Sequence, residues 1–236
     1  MAYVRSFPLL ARNPQICLAP LLASIVTILL YKLIPAENGA GFLGSANSGI
    51  ASLLAQAIAS FGFAVALIVG ETAWRRGKAP FDDAWENARR KVGAIIFATL
   101  GFNFILFVAG VVGAVLGSFG AIALQLVAYV LFIYTLPAAA IGGIPGGAAL
   151  NASVERAQRT LLATVVVTAL YIANAIFVPT LVLSAFSPLL LTYGASIPDF
   201  GDVLSIAVGL VHAVTTGYVA LVLAKAYDDA SYGRHY

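Results

Sequence analysis

Residues 92–141 read VGAIIFATLGFNFILFVAGVVGAVLGSFGAIALQLVAYVLFIYTLPAAAI, without a single Asp, Glu, Lys, Arg or His. A helix crosses a hydrocarbon core of about 30 Å with roughly 20 apolar residues. This run is therefore long enough to cross twice, and Gly117-Ser118 near its centre supplies a tight turn. Lipid offers no hydrogen-bond partners to a backbone, so the two halves, Val92–Leu116 and Phe119–Ile141, are expected to be helices. The mark of a membrane barrel, strands of about 10 residues with alternating polarity, does not occur.

Four more apolar runs lie outside this pair: Ile16–Ile34, Ile50–Trp74, Leu161–Phe186 and Val203–Ala224. The expected fold class is all-α, a polytopic bundle of six transmembrane helices forming a single integral membrane domain over residues 1–236. Composition agrees. The chain is 61% hydrophobic and 10% charged, whereas soluble domains carry about 45–50% apolar and about 25% charged residues. Too few polar side chains are available to cover a surface in water. One cysteine, Cys17, excludes a disulfide within the chain. The first apolar run is longer than a signal-peptide core and no small-residue cleavage site follows it, so it reads as a span.

The net charge of +3 does not point to nucleic acid, because the basic residues sit at the ends of apolar runs rather than on a polar face. Arg5, Arg12, Arg75, Arg76, Lys78, Arg89, Arg90, Lys91, Arg156, Arg159, Lys225 and Arg234 all fall on one side once the spans are drawn; of the 13 Lys and Arg residues only Lys32 falls on the other. The positive-inside rule then expects both termini and the basic connections to be cytoplasmic. The partners expected are the bilayer itself, its anionic lipids, and other membrane subunits.

Two of the basic-side connections read as amphipathic interfacial helices. Between Pro80 and Val92, residues Phe81, Ala84, Trp85, Ala88 and Val92 share a face, acids open the segment and bases close it, which suits the helix dipole. Between Gly147 and Leu161 the stripe is Leu150, Val154, Ala157 and Leu161. Trp85, Arg89, Arg90, Lys91, Arg156 and Arg159 are the expected lipid-interface residues. The two segments also match each other: Glu86-x-Ala88-x-Arg90-x-Val92 against Glu155-x-Ala157-x-Arg159-x-Leu161. With Phe7, Leu10 and Arg12 before the first span, this suggests parallel hairpin repeats over 1–74, 79–141 and 147–224.

The segments FDDAWENARRKV and AALNASVERAQRTL, each leading into a hairpin, and TLPAAAI before the second of them, resemble the six-helix prokaryotic inner-membrane families. Examples are the YciC-like proteins and the membrane domain attached to some glycerophosphodiester phosphodiesterases. The resemblance implies a helical bundle and a role in membrane homeostasis; it brings no catalytic residue.

Ionisable groups inside a membrane are costly and mark function, and this chain has few. Glu71 lies near the basic end of its span, four residues before Arg75, and reads as an interfacial ion pair. His212 is the one membrane-embedded histidine, a candidate axial ligand for a haem or pigment, weighed against a histidine bonded to a neighbouring helix. Gln56, Asn103, Gln125 and Asn174 are amides within spans, suited either to bonds across helices or to lining a polar path. Pro20, Pro137 and Pro179 are expected to kink helices. Ala51, Ala55 and Ala59, then Gly62, Ala66 and Gly70, then Ala109, Gly113 and Gly117 form small-residue stripes that allow close helix contact. The glycine-rich run 142–147 follows no strand and is a turn, not a dinucleotide loop.

No metal site, nucleophile or carboxylate pair emerges. The expected function is non-enzymatic: a scaffold, accessory subunit or membrane organiser. The alternatives are a transporter or facilitator subunit for a small or lipidic solute, and a cofactor- or pigment-bearing subunit of a larger bioenergetic complex through His212. A closed bundle would favour the first, and a midplane pocket lined by the span amides the second.

Overall fold

The computed structural model describes residues 2–34, 42–193 and 200–232, with side chains over 4–34, 49–188 and 203–231. Its helices are α1 (Ala2–Arg12), α2 (Leu18–Leu33, preceded by a 3-10 turn Pro14–Cys17), α3 (Phe42–Arg76), α4 (Phe81–Arg90), α5 (Val92–Ala114), α6 (Ser118–Phe132), α7 (Thr135–Ala140), α8 (Gly146–Arg159), α9 (Leu161–Tyr193) and α10 (Phe200–Tyr232). No strand occurs among the described residues, and six segments are long and apolar enough to cross a membrane: Pro14–Leu33, Gly49–Arg76, Val92–Ala114, Ser118–Ala140, Leu161–Pro188 and Val203–Ser231. The chain is an all-α, multi-pass membrane protein. Ser118 opens α6 directly after Gly117, whose φ of +84° makes the turn that a side chain would strain.

Side-chain bonds gather the connections at one end of the bundle. Asn13 donates from Nδ2 to the Gly77 carbonyl (3.1 Å) and accepts from the Ala79 N–H (3.3 Å), and the Gln15 amide donates to the Ala79 carbonyl. Lys91 Nζ donates to the Ala140 carbonyl at 2.8 Å. Arg75 reaches Asp228 at 3.2 Å, and Arg156 donates to Ser231 Oγ at 2.9 Å. Thus α1, α4 and α8 sit at the end where α3, α7 and α10 finish.

The centre of the bundle is α3 against α10. Residues 62–70 of α3 and 219–224 of α10 are buried, apolar on all sides as a central helix should be. Trp74 Nε1 donates to the Leu221 carbonyl across this contact at 2.9 Å. Gly62 lets α2 close on α3: a Cβ there would lie 2.8 Å from Ala23 Cβ and 2.9 Å from the Ala19 carbonyl oxygen. The peripheral helices turn Phe97, Phe104, Phe107, Phe177 and Leu181 outward, as lipid as solvent permits.

Two features depart from the expected pattern. The fourth span is not one kinked helix but two pieces, broken at Ile133-Tyr134. Pro137 has no N–H to offer the carbonyl one turn back. Ser153 of α8 fills the break, accepting from the Tyr134 N–H (3.0 Å) and donating to the Leu131 carbonyl (2.9 Å). This also rotates the buried face of α8. It is Ala149, Ser153 and Ala157; of the expected stripe Ala157 is buried, while Leu150 and Val154 are half-buried and Leu161 is exposed, because the hydroxyl reaches the break only if small residues let the helix approach. On α4, Ala84 and Ala88 are buried, while Trp85 remains partly exposed between Phe61 and Phe81.

Candidate functional site

A cavity of about 260 Å³ opens among α3, α5, α6, α7, α9 and α10. Its walls include Gln56, Asn103, Asn174 and His212. Asn103 lies eleven residues into α5, Asn174 thirteen into α9, and His212 nine past the start of the Val203–Ser231 span. At about 1.5 Å per residue these depths are roughly 14–20 Å, the middle of a hydrocarbon core. Three of the four span amides and the one span histidine, scattered over 157 positions of sequence from 56 to 212, therefore converge at one level.

The fourth amide does not join them. Gln125 packs on Gly110 of α5, where a Cβ would lie 2.7 Å from its Nε2; it belongs to the α5–α6 contact.

Within the cavity the polar groups are unevenly used. Asn174 is buried; its Nδ2 donates to Thr216 Oγ1 at 3.0 Å, while its Oδ1 has no partner. His212 Nδ1 is also buried and unpartnered. Asn103 Nδ2 donates to the Thr99 carbonyl of its own helix at 2.9 Å. A buried polar atom without a partner costs about 1–3 kcal/mol, so such atoms in a native bundle point to a bond made with something else. Gln56 and Ala59 are exposed at the rim, whereas Leu223 and Ile133 are buried at the floor, next to the break between α6 and α7. Discontinuous spans beside a midplane cavity are a recurrent way of building solute sites.

Aromatic rings form much of the remaining wall. Phe63 lies 5.9 Å from Tyr171, Tyr171 lies 6.3 Å from Tyr129, and Tyr129 meets Phe102 edge-on at 5.5 Å, centroid to centroid. Sequence inspection did not single these out, since an aromatic residue in a span carries no mark of whether it faces lipid or a cavity.

The expected lipid-interface residues divide. Arg89 is exposed, Arg90 pairs with Glu86 at 3.2 Å, and Arg159 lies 3.9 Å from Glu155. Lys91 and Arg156 instead turn into the protein: Lys91 on the carbonyls that end α7, and Arg156 on Ser231 and over the Tyr227 ring, 4.6 Å from its centroid. Burial lowers the Lys91 pKa from its ordinary value, with nearby Glu71 acting in the opposite direction. Glu71 itself is 2.8 Å from Arg75. No group of three or more His, Cys, Asp or Glu able to hold a metal occurs among the described residues.

Comparison of the chain with protein-family models, curated proteins and solved structures finds no match.

Proposed function

We propose that this protein is a non-enzymatic membrane protein that binds a small solute at the bilayer midplane, as a facilitator or as the solute-binding subunit of a transporter. The observation that carries the reading is one cavity lined by Gln56, Asn103, Asn174 and His212, with Asn174 Oδ1 and His212 Nδ1 buried and without a partner among the described residues. Sites for drug-sized ligands run to roughly 300–1,000 Å³. A cavity of about 260 Å³ therefore suits something smaller, and gives little support to a macrocyclic pigment on His212.

The one-sided distribution of Lys and Arg supports a cytoplasmic location for α1, α4, α8 and both termini, and the resemblance to prokaryotic inner-membrane families supports a prokaryotic cell; in this reading exposed Arg89 and Trp85 lie on anionic lipid. In a Cys17→Ala background, cysteines at Gly77 and Ser118 should label from opposite sides, Ser118 from outside. The solute reading is tested with purified protein in proteoliposomes. Uptake of glycerol, urea, erythritol and choline is measured against empty vesicles. Protein-dependent uptake of at least one, reduced by Asn174→Leu and by His212→Leu, is expected. No uptake and no saturable binding of any of the four would return the protein to the scaffold class.

A further inference from the structure

Resting on that reading, we propose that the cavity is selective for a small organic monocation, a quaternary or substituted ammonium compound, bound against aromatic faces. Three features of the wall converge on this class. Phe63, Tyr171, Tyr129 and Phe102 all line the cavity, each ring centroid within 6.3 Å of the next. Ring faces are negative in potential and attract a cation, and cages of this kind hold quaternary ammonium groups. The second feature is the kind of polar group. Asn103 and Asn174 each turn an N–H into the protein, onto the Thr99 carbonyl and Thr216 Oγ1. Each amide keeps a second N–H, and Asn174 Oδ1 has no partner among the described residues, nor has His212 Nδ1, which is an acceptor when the ring proton is on Nε2; the polar groups of the wall are thus amides, hydroxyls and one imidazole rather than a cluster of anion-binding cations.

The third feature is what the wall lacks. Among the described residues, no Lys, Arg, Asp or Glu lines it. No fixed positive charge repels a cation, and no carboxylate is offered to a metal ion or to an inorganic cation that must replace a tight hydration shell. A quaternary ammonium is weakly hydrated and has no N–H to donate, so aromatic rings suffice for it, and the polar groups of the wall serve a hydroxyl elsewhere on the solute. Without a counter-charge the complex is weak and quickly reversible, as a facilitator requires.

The test uses the full chain in nanodiscs of phosphatidylethanolamine and phosphatidylglycerol, with empty discs as the blank. Phosphatidylcholine is avoided because its headgroup is itself a quaternary ammonium. Equilibrium dialysis measures radiolabelled choline and its displacement by 3,3-dimethylbutan-1-ol, the uncharged carbon isostere. Saturable choline binding is expected, with the isostere at least about tenfold less effective, the scale of a desolvated cation–π contact. Tyr129→Leu, which deletes a ring, should weaken choline about tenfold more than Tyr129→Phe, which keeps it. Phe102→Leu, on a different helix, should act like Tyr129→Leu if the latter does not fold. Equal displacement by choline and the isostere would overturn the cation assignment while leaving the cavity a solute site. So would glycerol, urea or erythritol uptake without choline binding. If none of the four solutes binds or crosses, both readings fall together.

Discussion

Replacing Asn174 with leucine separates a solute site from ordinary packing, because the two predict different magnitudes of destabilisation. The substitution removes the Nδ2 bond to Thr216 (3.0 Å). Bonds between polar side chains inside membrane proteins average about 0.6 kcal/mol and reach about 1.7. It also removes the unpartnered, buried Oδ1, whose desolvation costs about 1–3 kcal/mol. Thr216 is not stranded, since its hydroxyl can turn to a carbonyl one turn back on α10. The difference runs from a loss of about 1 kcal/mol to a gain of about 2. The unliganded variant should therefore lose no more than about 1 kcal/mol of stability. Solute affinity should nonetheless fall roughly fivefold, the equivalent of one neutral hydrogen bond of about 1 kcal/mol. Reversible unfolding in mixed micelles, followed by helical circular dichroism, gives the first quantity, and equilibrium dialysis the second. A destabilisation beyond about 2 kcal/mol would refute the reasoning, because it would mean that the amide is fully used in holding α9 to α10.

Three further outcomes follow from the packing. Gly62→Leu should destabilise by about 1–3 kcal/mol, since its Cβ meets Ala23 and the Ala19 backbone, whereas Gly93→Leu, with nothing within 4 Å of its Cβ, should cost little by the same unfolding assay. Ser153→Ala deletes the hydroxyl that bridges the Leu131 carbonyl and the Tyr134 N–H; a loss of about 1–3 kcal/mol is expected, and faster hydrogen exchange confined to residues around 131–134 would locate it. For Lys91 the folded pKa lies below its ordinary 10.5, so the unfolded chain holds the proton to higher pH. Stability should then rise as pH climbs from the folded value toward 10.5. Lys91→Met should lack that rise and, having lost the bond to Ala140, be less stable below it; the same slope in both proteins would assign the effect elsewhere.

The fifty charge-free residues at 92–141, and the four runs like them, were enough to determine a six-span helical bundle. Backbone in hydrocarbon has one local solution, and its length is set by the bilayer. The Glu71–Arg75 pair and the helices over Phe81–Arg90 and Gly146–Arg159 were legible for the same reason: each depends on neighbours three or four residues away. What depends on distant residues was not legible. Pro137 marked a disturbance in the fourth span, but the break at Ile133-Tyr134 exists because Ser153, nineteen positions beyond Tyr134, satisfies it. Gln125 and Asn174 are equivalent in sequence, each one amide in an apolar run. Only the docking of helices puts Gln125 on Gly110 and Asn174 among the residues that line a cavity. In lipid, both the inward and the outward faces of a helix are apolar, so the pattern along the chain gives each helix its length while the rotation of each helix about its axis is set by packing alone. That rotation is what brings Gln56, Asn103, Asn174, His212 and the aromatic wall to one place.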